Sequence, residues 1–585
     1  MADNFNDFES IPNLVSMFLS RAALRGERPF LGYKHGDEWR TISWAETARR
    51  VAGLAKSLRA MGLKKGDRVM LVSENRPEWC IADLGIMAAG CVTVPTYITN
   101  TERDHQHILD NSQSRAVIVS TAKLAQHLMP AVVRSSECEF VIGMEPLKVT
   151  QRGQQKHHDW ADLVQGTDAD VAALTEEMAH VGRRELACII YTSGTGGSPR
   201  GVMQHHGMIL RNVDGAARIL AEDFGWEDEV FLSFLPASHA YEHTGGQFLP
   251  IGMGGQIYYA EGLEKLASNI EEVRPTIMVV VPRLFEVLRA RIIKQVEKQG
   301  KLATAMMDRA LGIGGRKAHG GMRLRDRPVD FLLERLFRPK IREKFGGRIK
   351  ALVSGGAPLN PEIGVFFDAM GLTMLQGYGQ TEAGPVISVN LPWANRRQTV
   401  GKPLEGVECR IAGDGEVLVR GELVMAGYWG NAEATAAALH PDPQDPPGSA
   451  PWLHTGDVGE MEDGFLRITD RKRDFIKTLG GDMVSPAKIE GLLMAEPEIA
   501  QALVAGEGQP ALVALIVPAE GMETRVDAAM QRVNGKLSTI ERVRRWASVE
   551  PFTIDNGMLT PTMKVKRRVA LDRHAAAVES LYQHR

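Results

Sequence analysis

One stretch gathers more chemistry-bearing residue types than any other in the chain: Cys188-Ile-Ile-Tyr-Thr-Ser-Gly-Thr-Gly-Gly-Ser-Pro-Arg-Gly-Val-Met203. It opens as an apolar run, Ala187 to Tyr191, of the length and composition of a buried strand. It then breaks into Thr192, Ser193, Gly194, Thr195, Gly196, Gly197 and Ser198. Glycines let the backbone approach a ligand and turn its N–H groups toward an anion. Hydroxyls donate to phosphate oxygens, and Arg200 adds a fixed positive charge. The loop is a candidate phosphate cradle. It satisfies neither G-x-x-x-x-G-K-S/T nor G-x-G-x-x-G, so a flexible Gly/Ser turn stays open as the alternative.

Three more polar loops follow apolar strands, at 236–242, 354–358 and 376–382. In an open α/β sheet ligands sit outside the carboxyl ends of the strands, which predicts that the four loops share one crevice. The elements needed to position them are legible. Residues 13–24 have helical periodicity, 38–44 alternate as a strand, and Ser43 can cap a helix over 44–61. Strands at 69–73, 91–95, 116–119 and 140–143 then alternate with helices at 77–89, 105–112 and 122–133. That is the pattern of doubly wound α/β layers. The segment 281–350 carries 19 Lys/Arg against 7 Asp/Glu, and its Gly-rich middle, 312–321, reads as a loop. Residues 400–470 give short strands at Gly and Asp turns, a small β-rich subdomain. From about 475 onward the pattern is that of a compact α+β unit, with strands near 502–505 and 511–517.

A chain of 585 residues exceeds one ordinary core, and 44% apolar with 24% charged content is globular. A net charge of −3 supplies no general attraction to nucleic acid. Cys80, Cys91, Cys138, Cys188 and Cys409 form no C-x-x-C, which fits a reducing cytoplasm without disulfides or a zinc knuckle. The N-terminus is acidic where a signal peptide is basic. The most apolar window, 81–98, holds Asp83 and Pro95 and reads as a buried helix and strand. His157-His158 and His205-His206 have no carboxylate or Cys at ligand spacing and read as surface or packing residues.

At this point the chain resembles the adenylate-forming superfamily of acyl-CoA synthetases, luciferases and peptide-synthetase adenylation domains. Tyr191 to Val202 resembles its Y-T-S-G-T-T-G-x-P-K-G-V loop, with Gly196 where Thr is usual and Arg200 where Lys is usual. Ser354-Gly-Gly-Ala-Pro-Leu359, Gln376-Gly-Tyr-Gly-Gln-Thr-Glu382 and His454-Thr-Gly-Asp457 are similar to its nucleotide motifs. Asp470 to Glu490 resembles the hinge region, and Thr560-Pro-Thr-Met-Lys-Val-Lys-Arg567 the motif carrying a C-terminal lysine. Long-chain fatty acyl-CoA synthetases look closest, through Asn75-Arg-Pro-Glu-Trp79, Leu235 to Glu242, Val281 to Glu286 and Leu559-Thr-Pro-Thr562.

The resemblance implies an N-terminal adenylation domain over 1–472 and a mobile C-terminal domain over 473–585. It implies activation of a fatty acid by ATP to acyl-AMP, then transfer to coenzyme A, with AMP and pyrophosphate released. It assigns Thr192, Ser193, Gly194, Thr195, Gly196, Gly197 and Arg200 to the β- and γ-phosphates, and Thr381 to the α-phosphate. Glu382 would bind Mg²⁺, with Thr195 as a further candidate. Gly355, Gly356, Ala357, Gln376, Gly377 and Tyr378 would form the adenine slot, and Asp457 and Arg471 the ribose end. Lys564 is the candidate for the lysine bridging carboxylate and α-phosphate, with Lys566 as its competitor. Arg473 falls at the hinge, and Gly480-Gly481 would line a CoA channel after the hinge moves. His239 would help position the acid, with a packing histidine as the alternative, and Tyr241 and Glu242 would gate the acyl tunnel.

An acyl-AMP ligase serving a carrier-protein thiol, and ligases for aromatic, bile or branched acids, remain alternatives. So does, at lower rank, an idle nucleotide-binding protein. The basic segment has two readings, peripheral docking on the inner face of the membrane or a solvated helical insertion. Oligomeric state is left open, a homodimer included.

Overall fold

The computed structural model describes residues 7–147, 153–192, 199–225, 228–318, 321–357, 359–392, 394–442, 444–472, 475–480 and 482–583. The N-terminal α/β alternation resolves into two large sheets. The first has eight strands, in the order Gly427–Tyr428, Arg200–His205, Leu186–Thr192, Val92–Thr96, Arg68–Val72, Ala116–Val119, Phe140–Gly143, Lys156–Asp159. From Leu186–Thr192 outward to Lys156–Asp159 its neighbours are parallel. The second has nine strands and a parallel centre. It runs Lys402–Pro403, Val386–Val389, Met374–Gly379, Ala351–Ser354, Ile277–Val280, Val230–Ser233, Gln256–Tyr259, Pro29–His35, Glu38–Ser43.

Strands buried on both faces need continuous apolar runs, and Ala116–Val119 and Phe140–Gly143 are fully buried. Between the sheets lies the largest core, built on Phe18, Phe30, Trp44, Trp79, Phe231 and Phe248. Phe30 stacks on Trp44 with ring centroids 3.8 Å apart. Ser43 caps the helix Trp44–Ala60 by accepting from Glu46 N, as its position suggested.

An antiparallel five-stranded sheet over Glu408–Ile411, Glu416–Arg420, Trp452–Glu462, Leu439–His440 and Phe465–Arg471 forms the β-rich subdomain. The α+β unit that follows has a three-stranded sheet, Ile499–Ala505, Leu512–Pro518 and Val543–Ser548. It carries the helices Pro486–Met494, Val526–Gly535, Arg567–Arg573 and Ala575–Gln583.

One expectation is overturned. Residues 312–318 are not a loop but the end of the helix Lys301–Ala318. Gly314 is needed for close approach: a Cβ there would lie 2.6 Å from Ala369 Cβ on the helix Pro361–Ala369. Helix–helix packing thus selects the small residue, and its cost in helix propensity of about 1 kcal/mol is outweighed.

Candidate active site

Strands of both sheets end at one crevice. Tyr191 and Thr192 close the strand Leu186–Thr192, and Thr192 pairs with Arg200 across an antiparallel hairpin. The candidate phosphate cradle joins these two paired strands in sequence. Ser193, Gly194, Thr195, Gly196 and Gly197 themselves lie outside the described residues, as do Arg473 and Gly481.

Opposite the hairpin, the strand Met374–Gly379 runs into a single 3₁₀ turn, Thr381–Ala383. The Thr381 carbonyl accepts from Gln204 Nε2 at 2.8 Å, which ties this turn to the hairpin's second strand. Glu382 is half-buried, and its Oε1 accepts from the Tyr428 hydroxyl at 2.8 Å. The Arg200 guanidinium sits 5.6 Å from the Tyr428 ring centroid. Tyr428 pairs with Val202 at the edge of the first sheet, so one aromatic ring links Arg200 to Glu382. Sequence reasoning missed it. Its signal was the glycine-flanked pair Gly427-Tyr428-Trp429-Gly430.

The residues expected to form the adenine slot lie at the ends of two parallel neighbours, Ala351–Ser354 and Met374–Gly379. Gly355 donates its N–H to Val280 O at 3.1 Å, and Gly356 has φ of +83°. A Cβ on Gly355 would meet the Tyr241 ring at 2.6 Å, so the glycine lets that ring lie against the turn. The Tyr241 hydroxyl donates to Val353 O at 2.9 Å. Two polar atoms in these motifs, Ser354 Oγ and Gln380 Nε2, are buried with no hydrogen-bond partner among the described residues. Such atoms are costly unless a ligand or water satisfies them. Ala357 follows the strand Ala351–Ser354, and Gln376 and Gly377 lie on its parallel neighbour Met374–Gly379.

The Tyr378 hydroxyl donates to Asp457 Oδ2 at 2.6 Å, and Arg471 Nε meets Asp457 Oδ1 at 3.0 Å. Asp457 is almost wholly buried, and burial raises its carboxyl above the ordinary value. The Arg471 charge, the Tyr378 hydroxyl and the Lys564 charge oppose that rise. Asp457 pairs with Arg471 across the strands Trp452–Glu462 and Phe465–Arg471.

Lys564 reaches the crevice from the C-terminal unit. Leu559 and Val565 form a β-bridge, Thr560 N donates to Lys564 O at 2.8 Å, and Lys564 N donates to Thr560 Oγ1 at 3.0 Å. Met563, at the tip, has φ of +61°, which costs of order 1 kcal/mol for a side chain of this kind. Its side chain packs with Leu235, Phe234, Tyr241, Val279 and Val281 of the N-terminal region. Burial pushes the Lys564 ammonium down to about 8. Arg471 adds to the depression, and Asp457 and Glu382 oppose it. Lys566, two residues on, is exposed and precedes the helix Arg567–Arg573. Arg567 fixes this segment by donating to Val504 O at 2.7 Å and Glu490 Oε1 at 2.6 Å.

His239 is half-buried, and its Nδ1 accepts from Tyr241 N at 3.2 Å, starting the turn Ala240–Glu242. Burial first, and then the Lys564 charge, hold it down to about 3, so it is neutral at any working pH. Glu242 is buried, accepts from Ser233 Oγ at 2.6 Å, and burial pushes its carboxyl up to about 8. Asn75 braces this loop, donating to Ser233 Oγ at 3.0 Å and Leu235 O at 2.6 Å and accepting from Ala237 N at 2.9 Å. That gives the Asn75-Arg-Pro-Glu-Trp79 motif a structural role that its sequence did not state. Gly480 lies in the turn between the strands Ile476–Lys477 and Met483–Val484. Of the histidine pairs, His205 and His206 are buried packing residues, His205 accepting from Met208 N at 3.1 Å, whereas His157 is exposed and His158 half-buried.

The chain belongs to the AMP-binding enzyme family. Residues 18–429 match that family, and residues 473–585 match the AMP-binding enzyme C-terminal domain. A relative named long-chain-fatty-acid–CoA ligase FadD15, from Mycobacterium bovis, is 32% identical over 93% of this chain and 92% of its own. The chloroplastic long-chain-fatty-acid–[acyl-carrier-protein] ligase AEE15 of Arabidopsis thaliana is 26% identical over 99% of this chain and 87% of its own. Among solved structures, the anthranilate CoA ligase AuaEII in complex with anthranoyl-AMP shares the fold. Its TM-score is 0.74 at 21% identity, covering 98% of this chain and 99% of that one.

Proposed function

We propose that the protein is an AMP-forming acid–thiol ligase that activates a long-chain fatty acid with ATP and passes the acyl group to coenzyme A. The observation that carries this reading is the position of Lys564, brought across from the C-terminal unit into the electrostatic field of Arg471, Asp457 and Glu382. The relatives named long-chain-fatty-acid–CoA ligases support the substrate class.

In the first half-reaction a carboxylate oxygen bonds to the α-phosphorus of ATP and the bond to pyrophosphate breaks. An anion attacks an anion, so charge placement dominates the barrier. Lys564 would bridge the two reacting groups, a contact that strengthens as the transition state forms. Asp457, oriented by Tyr378 and Arg471, would accept from the ribose hydroxyls. Tyr378, its hydroxyl anchored on Asp457, would offer its ring to the base. Thr381 would contact the α-phosphate. Thr192, Ser193, Thr195, Arg200 and the glycine amides of 194–197 would hold the other two phosphates.

The donor set suits Mg²⁺. Glu382 has a second oxygen beyond the one bonded to Tyr428. One carboxylate plus phosphate oxygens is how this hard cation is commonly held, and bound there it would screen the phosphate charge.

In the second half-reaction a thiol sulfur bonds to the acyl carbon and AMP leaves. The Lys564 loop must withdraw for the thiol to enter. We take Arg473 as the pivot of residues 473–585, with Gly480-Gly481 brought to the thiol channel. Arg473→Pro is expected to spare adenylation and slow thioester formation; equal survival of both steps would move the hinge elsewhere. Carrier-protein loading is the second reading, favoured by the Arabidopsis relative's name. A pyrophosphate-release screen over carboxylic acids of graded length, with and without CoA, tests the proposal. Release that rises with chain length, and thioester only with CoA, is expected. Release with aromatic or short acids alone would refute the substrate class.

A further inference from the structure

The helix Asp326–Leu336 has two apolar faces where a solvated helix has one. Its inner face buries Leu333, with Phe337 just beyond it, in the second core. Around the outer side, Leu324 is 77% exposed, Phe331 66%, and Leu332 and Leu336 52% each. Large apolar side chains scattered singly on a surface mean little, but four within thirteen residues form a patch.

The acids of this helix are all paired, Asp326 and Asp330 on its inner side and Glu334 at an exposed position. Asp326 bonds Arg316 at 2.8 Å, and Asp330 bonds Lys317 at 2.8 Å and Arg338 at 2.7 Å. Glu334 holds Arg338 at 3.2 Å and Arg342 at 2.5 Å. The exposed Arg323, Arg325, Arg327 and Arg335 enter no ion pair among the described residues. The outer side is thus apolar and cationic, with the three carboxylates of the helix each held by a cation. No helix among the described residues is long and apolar enough to cross a membrane.

We propose that Leu324–Leu336 is a docking surface for an anionic phospholipid bilayer, with Phe331, Leu332 and Leu336 entering the headgroup–acyl boundary and the four arginines meeting lipid phosphates. Apolar side chains rimmed by unpaired cations match that boundary. A neutral protein groove would leave the arginines unpaired, and a second copy would bring like charges together. The purpose of the contact, loading of a membrane-dissolved acid, rests on the proposed long-chain substrate. The contact itself does not, so the two fail separately.

The test is co-sedimentation of the full chain with vesicles of phosphatidylglycerol in phosphatidylcholine, and of phosphatidylcholine alone, at low and high salt. Binding to the anionic vesicles that weakens with salt is expected. Arg327→Gln/Arg335→Gln is expected to weaken it roughly 30-fold, and Phe331→Ser/Leu332→Ser to abolish it. Both variants should keep wild-type turnover of a water-soluble medium-chain acid, which shows that they are folded. No binding to anionic vesicles at low salt, or equal binding by the variants, would overturn the proposal. So would self-association in light scattering that Phe331→Ser/Leu332→Ser removes, which would assign the patch to a second copy.

Discussion

Replacing Lys564 probes the crevice most sharply, because its charge is both needed and costly. Burial and Arg471 take the ammonium from an ordinary 10.5 to about 8 in this closed arrangement. A domain swung open would expose it near its ordinary value. Between pH 8 and 10.5 the closed form therefore binds fewer protons than the open form, so closure without nucleotide becomes easier as pH rises through that window. Below pH 8 the empty closed form carries the full penalty, no more than about 3 kcal/mol and less where solvent screens the half-buried group. A triphosphate reverses the sign by placing negative charge beside the ammonium.

The measurable consequence lies in pH profiles of acid-dependent pyrophosphate release. kcat/KM for ATP reports the nucleotide-free enzyme, so for free enzyme resting in the closed arrangement it should fall above pH 8, by roughly tenfold at pH 9. kcat, reporting the bound state, should hold to higher pH. Lys564→Ala should lose roughly 100- to 1,000-fold in adenylation and should also lose this alkaline limb. Lys566→Ala, at an exposed position, should stay near wild type. An alkaline limb that persists in Lys564→Ala, or an equal loss in Lys566→Ala, would refute the reasoning.

Further outcomes follow from neighbouring contacts. Tyr378→Phe removes the 2.6 Å donor from buried Asp457 and should raise the KM for ATP roughly 5- to 10-fold with kcat little changed, read by the same assay. Glu416 accepts from Gly456 N at 2.8 Å, His454 Nδ1 at 3.0 Å and Lys472 Nζ at 2.7 Å, joining the turn before Asp457 to the end of the strand Phe465–Arg471. Glu416→Ala should cost about 1–3 kcal/mol in denaturant unfolding, with Glu416→Gln recovering part of it. Gly355→Ala would drive a methyl into the Tyr241 ring and should depress adenylation while leaving far-UV circular dichroism unchanged. His239, neutral above about pH 3, should contribute no limb near pH 6.5, so a profile with one there must find it in another group.

How much was legible depended on whether the information was local. Apolar runs such as Ala116–Val119 and Phe140–Gly143 matched their strands residue for residue, because burial on both faces leaves no alternation to misread. Partner choice is not local. Pro29–His35 lies beside Gln256–Tyr259 in the second sheet, and no periodicity within either strand says so. Alternating elements therefore gave α/β layers without revealing that there are two sheets. The glycines of the helix Lys301–Ala318 were misread because close packing against Ala369 has no signature in the helix itself. Motif residues Asp457, Arg471, Tyr378 and Lys564 do meet. Tyr428 and Glu416 escaped because their roles depend on what the fold brings to them.

The central claim is that acyl transfer runs through an adenylate to the CoA thiol. It is tested most directly by following a radiolabelled long-chain fatty acid in one reaction with ATP, Mg²⁺, CoA and a phosphopantetheinylated carrier protein. The account predicts one AMP and one pyrophosphate per acyl-CoA, with acyl-AMP accumulating when both thiols are withheld. Label that settles on the carrier while CoA stays unacylated, or acyl-CoA formed with release of ADP and phosphate, would contradict it.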